Sequence, residues 1–173
     1  MCFVLYIGTD ESLPSIPWDE KDRHLNTEDL GEHDGTVARH FSKSHTKYLG
    51  SDQGCGCGFR HVTFQNGEWP EEWNIGHNPD YDGSDEKQIH QELYDFISQL
   101  LNSNPTIELY GCWDGDFAEP IEHREEITLG HLLDRKFFFR ERGFYTVTNS
   151  EQDAPSNGGQ RPSLNSAFPP RRG

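Results

Sequence analysis

The chain has 173 residues, 30 of them acidic against 15 Lys and Arg, for a formal net charge of −15. A field of that sign repels phosphate backbones and anionic lipid headgroups, which argues against nucleic acid and membrane surfaces as partners and favours basic proteins and cationic ligands, metal ions among them. The opening Met-Cys-Phe-Val-Leu-Tyr-Ile-Gly is apolar for only six residues after Met1, and no later segment approaches membrane length. This predicts a cytoplasmic protein whose four cysteines are free thiols or ligands rather than structural disulfides.

In chain order, Cys2 to Ile7 is a compact apolar run closed by Gly8-Thr9-Asp10 and predicts a buried strand. Residues 10 to 35, rich in Pro, Asp and Glu, predict an extended connection. His45 to Leu49 predicts a second strand and Arg60 to Phe64 a third, with the run Gly54-Cys55-Gly56-Cys57-Gly58 on the loop between them. A loop follows from Gln65 to Ser84. Ile89, Leu93, Phe96, Ile97, Leu100 and Leu101 then recur at three- and four-residue spacing, the mark of an amphipathic helix, with Asp85 as its cap and Pro105 beyond its end. Thr106 to Cys112 alternates as a strand. Thr128 caps a short helix through Asp134, and Phe137 to Thr148 reads as two strands turning near Arg142-Gly143.

From Ser150 the composition shifts to Pro, Gly, Ser and Asn with few apolar residues, which cannot offset the entropy of ordering. The expected organisation is one globular domain over 1–149 and a disordered tail over 150–173. The expected fold is α/β of the α+β kind: a mixed sheet carrying one main amphipathic helix and a short second helix.

The chemistry concentrates in the cysteines. Cys55 and Cys57 share a loop stripped of other side chains, Cys2 begins a predicted strand and Cys112 ends another. If those two strands are neighbours, four thiols converge at one rim and form a closed tetrahedral zinc site, with His40, His45 or His61 as nitrogen substitutes. The Cys-x-Cys spacing is tighter than that of common zinc modules, and two other readings stay open. One is a thiol-dependent enzyme, using the Cys55/Cys57 pair for redox exchange or Cys2 as an N-terminal nucleophile after loss of Met1. The other is a non-catalytic acidic interaction domain with its thiols packed in a tight turn.

The loop from Asn78 to Glu86 has the alternating oxygen ligands and sixth-position glycine of an EF-hand, but Ile89 stands where the bidentate Glu belongs. No Gly-x-Ser-x-Gly, His-Glu-x-x-His, Walker or dinucleotide fingerprint occurs.

The Met1-Cys2 opening resembles that of class II glutamine amidotransferases, which implies the N-terminal nucleophile at Cys2. Over most of the expected domain, the segments Met1–Ile7, His40-Phe41-Ser42-Lys43, Gly54–Phe59 and Leu109–Asp116 resemble a family of uncharacterised small bacterial proteins. That resemblance brings no activity with it. It implies that the cysteine-bearing segments occur together.

Overall fold

Phe3–Thr9 carries no charged residue and is buried along its whole length; it forms β1, the strand around which the sheet is built. In the computed structural model of the chain, which describes residues 2–62 and 84–149, the further strands are β2 (Asn26–Asp29), β3 (His45–Gly50), β4 (His61–Val62), β5 (Ile107–Trp113), β6 (His123–Thr128), β7 (Phe139–Arg140) and β8 (Gly143–Thr148). The single α-helix among the described residues, α1, spans Ser84–Leu100. Six strands make one mixed sheet in the order β2-β3-β1-β5-β8-β6, antiparallel at every step except the parallel pairing of β6 with β8. β4 and β7 form a separate parallel pair. The expected α+β architecture of mixed sheet, main helix and short second helix is what the chain adopts, the second being a 3₁₀ turn over Leu129–Leu133.

Strand alternation sorts the side chains to two faces. Phe3, Leu5 and Ile7 of β1, with Leu109 of β5 and Val147 of β8, join a core completed by Ile89, Leu93 and Ile97 of α1. These helix residues are four apart and so lie on one face, and each contributes about 1.5–3 kcal/mol by burial. Val4 and Tyr6, with Tyr110, Cys112 and Phe144, point the other way and are covered by Val37 of a 3₁₀ turn (Gly35–His40) and Phe117 of the β5–β6 connection.

Polar joints tie the helix to this frame. Buried His90 of α1 accepts the Arg60 N–H at Nε2 (3.0 Å), so its proton sits on Nδ1, which donates to the Leu132 carbonyl (2.9 Å). Arg60 Nη2 donates to the same carbonyl at 3.2 Å. Just past α1, buried Asn104 accepts the N–H groups of Asp10 (2.9 Å) and Glu11 (3.1 Å) and donates to the Leu100 carbonyl (2.9 Å).

Two sequence expectations need correction, and one strand was missed. Residues 10–35 are not all connection, since Asn26–Asp29 pairs along β3 as an edge strand. Thr128 opens the short turn as expected and also ends β6, an edge strand rich in charged residues that the sequence reading did not include. β7 and β8 do not form a hairpin, because β7 pairs with β4 while β8 inserts between β5 and β6. The expectations for Thr63 and Phe64, the loop from 65, the EF-hand-like positions 78–83, the Asp85 side chain and the tail lie outside the described residues. No helix among the described residues is long and apolar enough to cross a membrane.

Candidate metal centre

β3 pairs with β1 only from Leu5 to Thr9, so the first residues of β1 keep an unpaired edge on that side. The glycine–cysteine run fills it. After Gly50 the chain turns back, with Ser51 as the fastener: its N–H and its hydroxyl both donate to the Cys55 carbonyl (2.9 and 2.6 Å). The Ser51 Oγ in turn accepts the N–H groups of Gln53 (3.2 Å) and Gly58 (3.1 Å). Gly54 sits at φ +72, a left-handed conformation that side chains resist. A Cβ on Gly56 would stand 2.9 Å from the Phe3 carbonyl oxygen and 3.1 Å from Val4 Cα, so only a bare backbone can lie this close against β1. Cys55–Gly56–Cys57 is thereby pressed onto the strand that starts beside Cys2.

The result is a cluster. The Sγ atoms of Cys2, Cys55 and Cys57 all lie within 4.8 Å of one another. Sulfurs bound to one tetrahedral zinc, at about 2.3 Å each, are about 3.8 Å apart, so small side-chain rotations bring three sulfurs onto one ion. Backbone donors already face two of them. The Phe3 N–H donates to Cys57 Sγ (3.3 Å) and the Cys57 N–H to Cys55 Sγ (3.4 Å). Burial pushes the Cys55 thiol up to about 12, and the neighbouring sulfurs of Cys57 and Cys2 act the same way, while the Cys57 N–H opposes them. A thiol held up in this way is a poor free nucleophile; a bound cation is what would draw its proton off.

Cys112 is not one of the three. It lies opposite Val4 on β5, fully buried in the Val4–Tyr6–Tyr110–Phe117–Phe144 cluster. Burial, with Asp116, Asp114 and Glu141 nearby, raises its thiol well above the usual range. The expected neighbourhood of the two strands is therefore real, since β1 and β5 pair, but the chain between β5 and β6 folds back over the face that Cys112 occupies. The four-thiol rim becomes a three-thiol group.

The histidines stand apart from that group. His45 is exposed at the far end of β3, opposite Thr9, roughly 23 Å of strand from Cys2 at 3.3 Å per residue. His40 spends Nε2 on the Phe117 carbonyl (3.1 Å) and packs on Tyr110, and burial lowers its pKa. His61 packs against the residue that follows Cys2. It stacks on Phe3 at 4.5 Å between ring centroids, with Nδ1 on the Phe59 carbonyl (2.8 Å), and burial lowers its pKa as well.

Two aromatic residues around the loop escaped the sequence reading. Tyr48 donates its hydroxyl to the Gly54 carbonyl (3.3 Å), and burial followed by the Cys55 sulfur raises its pKa far above the ordinary phenol value. Trp18 lies over Gly54 and donates Nε1–H to the Asp52 carbonyl (3.2 Å). Tyr48 sits at an alternating strand position that points it toward the loop, a readable signal; the position of Trp18 in its connection carried none. No protein-family model matches the chain, and no curated protein or solved structure does either.

Proposed function

We propose that this is a metal-binding protein whose centre is Cys2, Cys55 and Cys57, and that the metal is zinc. The observation that carries the reading is the meeting of three sulfurs from two segments some fifty residues apart, all within 4.8 Å. Supporting it, backbone N–H groups face two of the sulfurs, an arrangement suited to orienting metal ligands. Thiolate donors select soft or borderline ions, and zinc accepts three of them with the fourth position taken by another ligand. His61, stacked on Phe3 with Nδ1 on the Phe59 carbonyl, lies outside the three-sulfur group and would have to turn toward it to serve as that ligand through Nε2. The acidic surface favours approach of a cation.

The test is native against denaturing intact mass, with elemental analysis, on tag-free protein purified without chelator from metal-replete cells. One zinc per chain, lost on denaturation, is the expected result. A chain carrying no stoichiometric metal overturns the reading. The same spectra report whether Met1 is removed, and a retained Met1 eliminates the N-terminal nucleophile.

A further inference from the structure

Three sulfurs close enough to share an ion are also close enough to react with one another. We propose that the centre is a peroxide-sensitive thiol switch: Cys2 is oxidised first, Cys57 closes a Cys2–Cys57 disulfide, and the metal is expelled. Only the last step rests on the metal reading above.

The order follows from access. Cys2 is exposed, Cys55 and Cys57 are half-buried, and Cys112 is buried. A small oxidant in solvent meets the exposed sulfur first. The choice of partner follows from what holds the other two. Cys57 Sγ lies 3.3 Å from the Phe3 nitrogen, the atom that directly follows Cys2 in the chain, so it is already seated against the Cys2–Phe3 peptide. Cys55 Sγ caps its own turn, accepting the Cys57 N–H. A Cys55–Cys57 bond would have to unwind that turn, and Gly56 between them is pinned against β1. The Cys-x-Cys pair that the sequence offers as the redox couple is thus the less favoured one.

The chemistry balances with hydrogen peroxide as the oxidant. The Cys2 sulfur attacks one peroxide oxygen and the O–O bond breaks. Cys2 becomes a sulfenic acid, and the departing hydroxide takes a proton to leave as water. The Cys57 sulfur then attacks the Cys2 sulfur, the S–O bond breaks, and that hydroxide leaves as a second water with the thiol proton. Two thiols have lost two electrons and one peroxide has become two waters. An ion in the centre keeps Cys55 alone of its three sulfur ligands and dissociates.

The experiment treats metal-loaded and chelator-stripped full-length protein with stoichiometric hydrogen peroxide. Non-reducing peptide mass mapping reads the linkage, and a chromophoric zinc chelator reads release. The expected result is a Cys2–Cys57 crosslink in both forms, zinc released in step with it, and both reversed by a dithiol with zinc restored. The crosslink should survive in Cys55→Ser and vanish in Cys57→Ser and in Cys2→Ser, the last at an exposed position that folding tolerates. A Cys55–Cys57 linkage overturns the proposal, as does Cys2 passing to sulfinic acid with no crosslink. If the protein holds no zinc yet still forms the Cys2–Cys57 bond, the metal reading falls and the thiol switch stands. If zinc is bound and no crosslink forms, the thiol switch falls and the metal reading stands.

Discussion

The backbone N–H of Phe3 donates to the sulfur of Cys57 at 3.3 Å, joining residues 54 apart in sequence. At that point β1 has no β3 neighbour to accept its amide, and the sulfur takes the role of the missing carbonyl. Phe3 N–H and Cys57 Sγ thus close the gap that the short β3 leaves along this edge. The strand edge and the centre are one piece of structure, and disturbing either disturbs the other.

Replacing Cys2, Cys55 or Cys57 singly by Ser should weaken zinc binding by more than the roughly 100-fold that loss of an outer-shell partner costs. Cys112→Ser should leave the metal stoichiometry unchanged but lower stability by about 1–3 kcal/mol, because it buries a hydroxyl in an apolar cluster. Competition with a chelator of known affinity reads the first effect and urea unfolding the second. Loss of zinc in Cys112→Ser would show that the fourth sulfur takes part after all.

Gly56→Ala places a methyl group 2.9 Å from the Phe3 carbonyl oxygen and should push the turn off β1. The expected cost is about 1–3 kcal/mol of stability, as for other overpacked sites, together with weaker metal binding. Both losses should appear in the same variant. Full zinc affinity in Gly56→Ala would mean that the close approach to the strand does not build the centre.

Stability should depend on pH through His90. Burial, followed by the Arg60 charge, lowers its pKa from 6.5 to about 4, so the native ring is neutral where the unfolded one is protonated. Between those values the unfolded chain binds the extra proton, so stability is complete above about pH 6.5 and falls as pH drops toward about 4. The total is on the order of 3 kcal/mol, and the lowered pKa values of His40 and His61 add in the same direction. Urea titrations of metal-stripped protein across this window should show the decline; a flat profile contradicts the neutral, buried assignment.

Asn104→Ala should cost about 2 kcal/mol or more. It leaves the Asp10 and Glu11 N–H groups without the side-chain oxygen that accepts them, while the Leu100 carbonyl keeps its backbone donors. Amide exchange should speed up at Asp10 and Glu11 before it does in β1. Unchanged exchange at those two amides would show that the side chain does not hold the loop.

What the sequence showed depended on burial. β1, β5 and α1 are apolar on the faces they bury, and their periodicity gave them away. β2 and β6 lie at the two edges of the sheet, where a strand needs only backbone partners on one side. Asn-Thr-Glu-Asp therefore reads as connection, and His-Arg-Glu-Glu-Ile-Thr offers no apolar run to mark it as a strand. At the centre, the cysteines could be named in advance because glycine spacing and strand ends gathered them. The exclusion of Cys112 could not be, because it depends on how residues 114–122 fold back, and nothing local in Asp-Gly-Asp specifies that.

β8, the last strand described, lies inside the sheet, hydrogen-bonded to β5 on one side and β6 on the other. Strand β6 therefore gains its place in the sheet only when a segment made after it slides in between. All three sulfurs of the centre are encoded before residue 58, yet the sheet that steadies them cannot close until residue 148 has been made. Such late, long-range closure slows folding. For that interval during synthesis, the thiols of this chain exist without the finished sheet against which they are arranged.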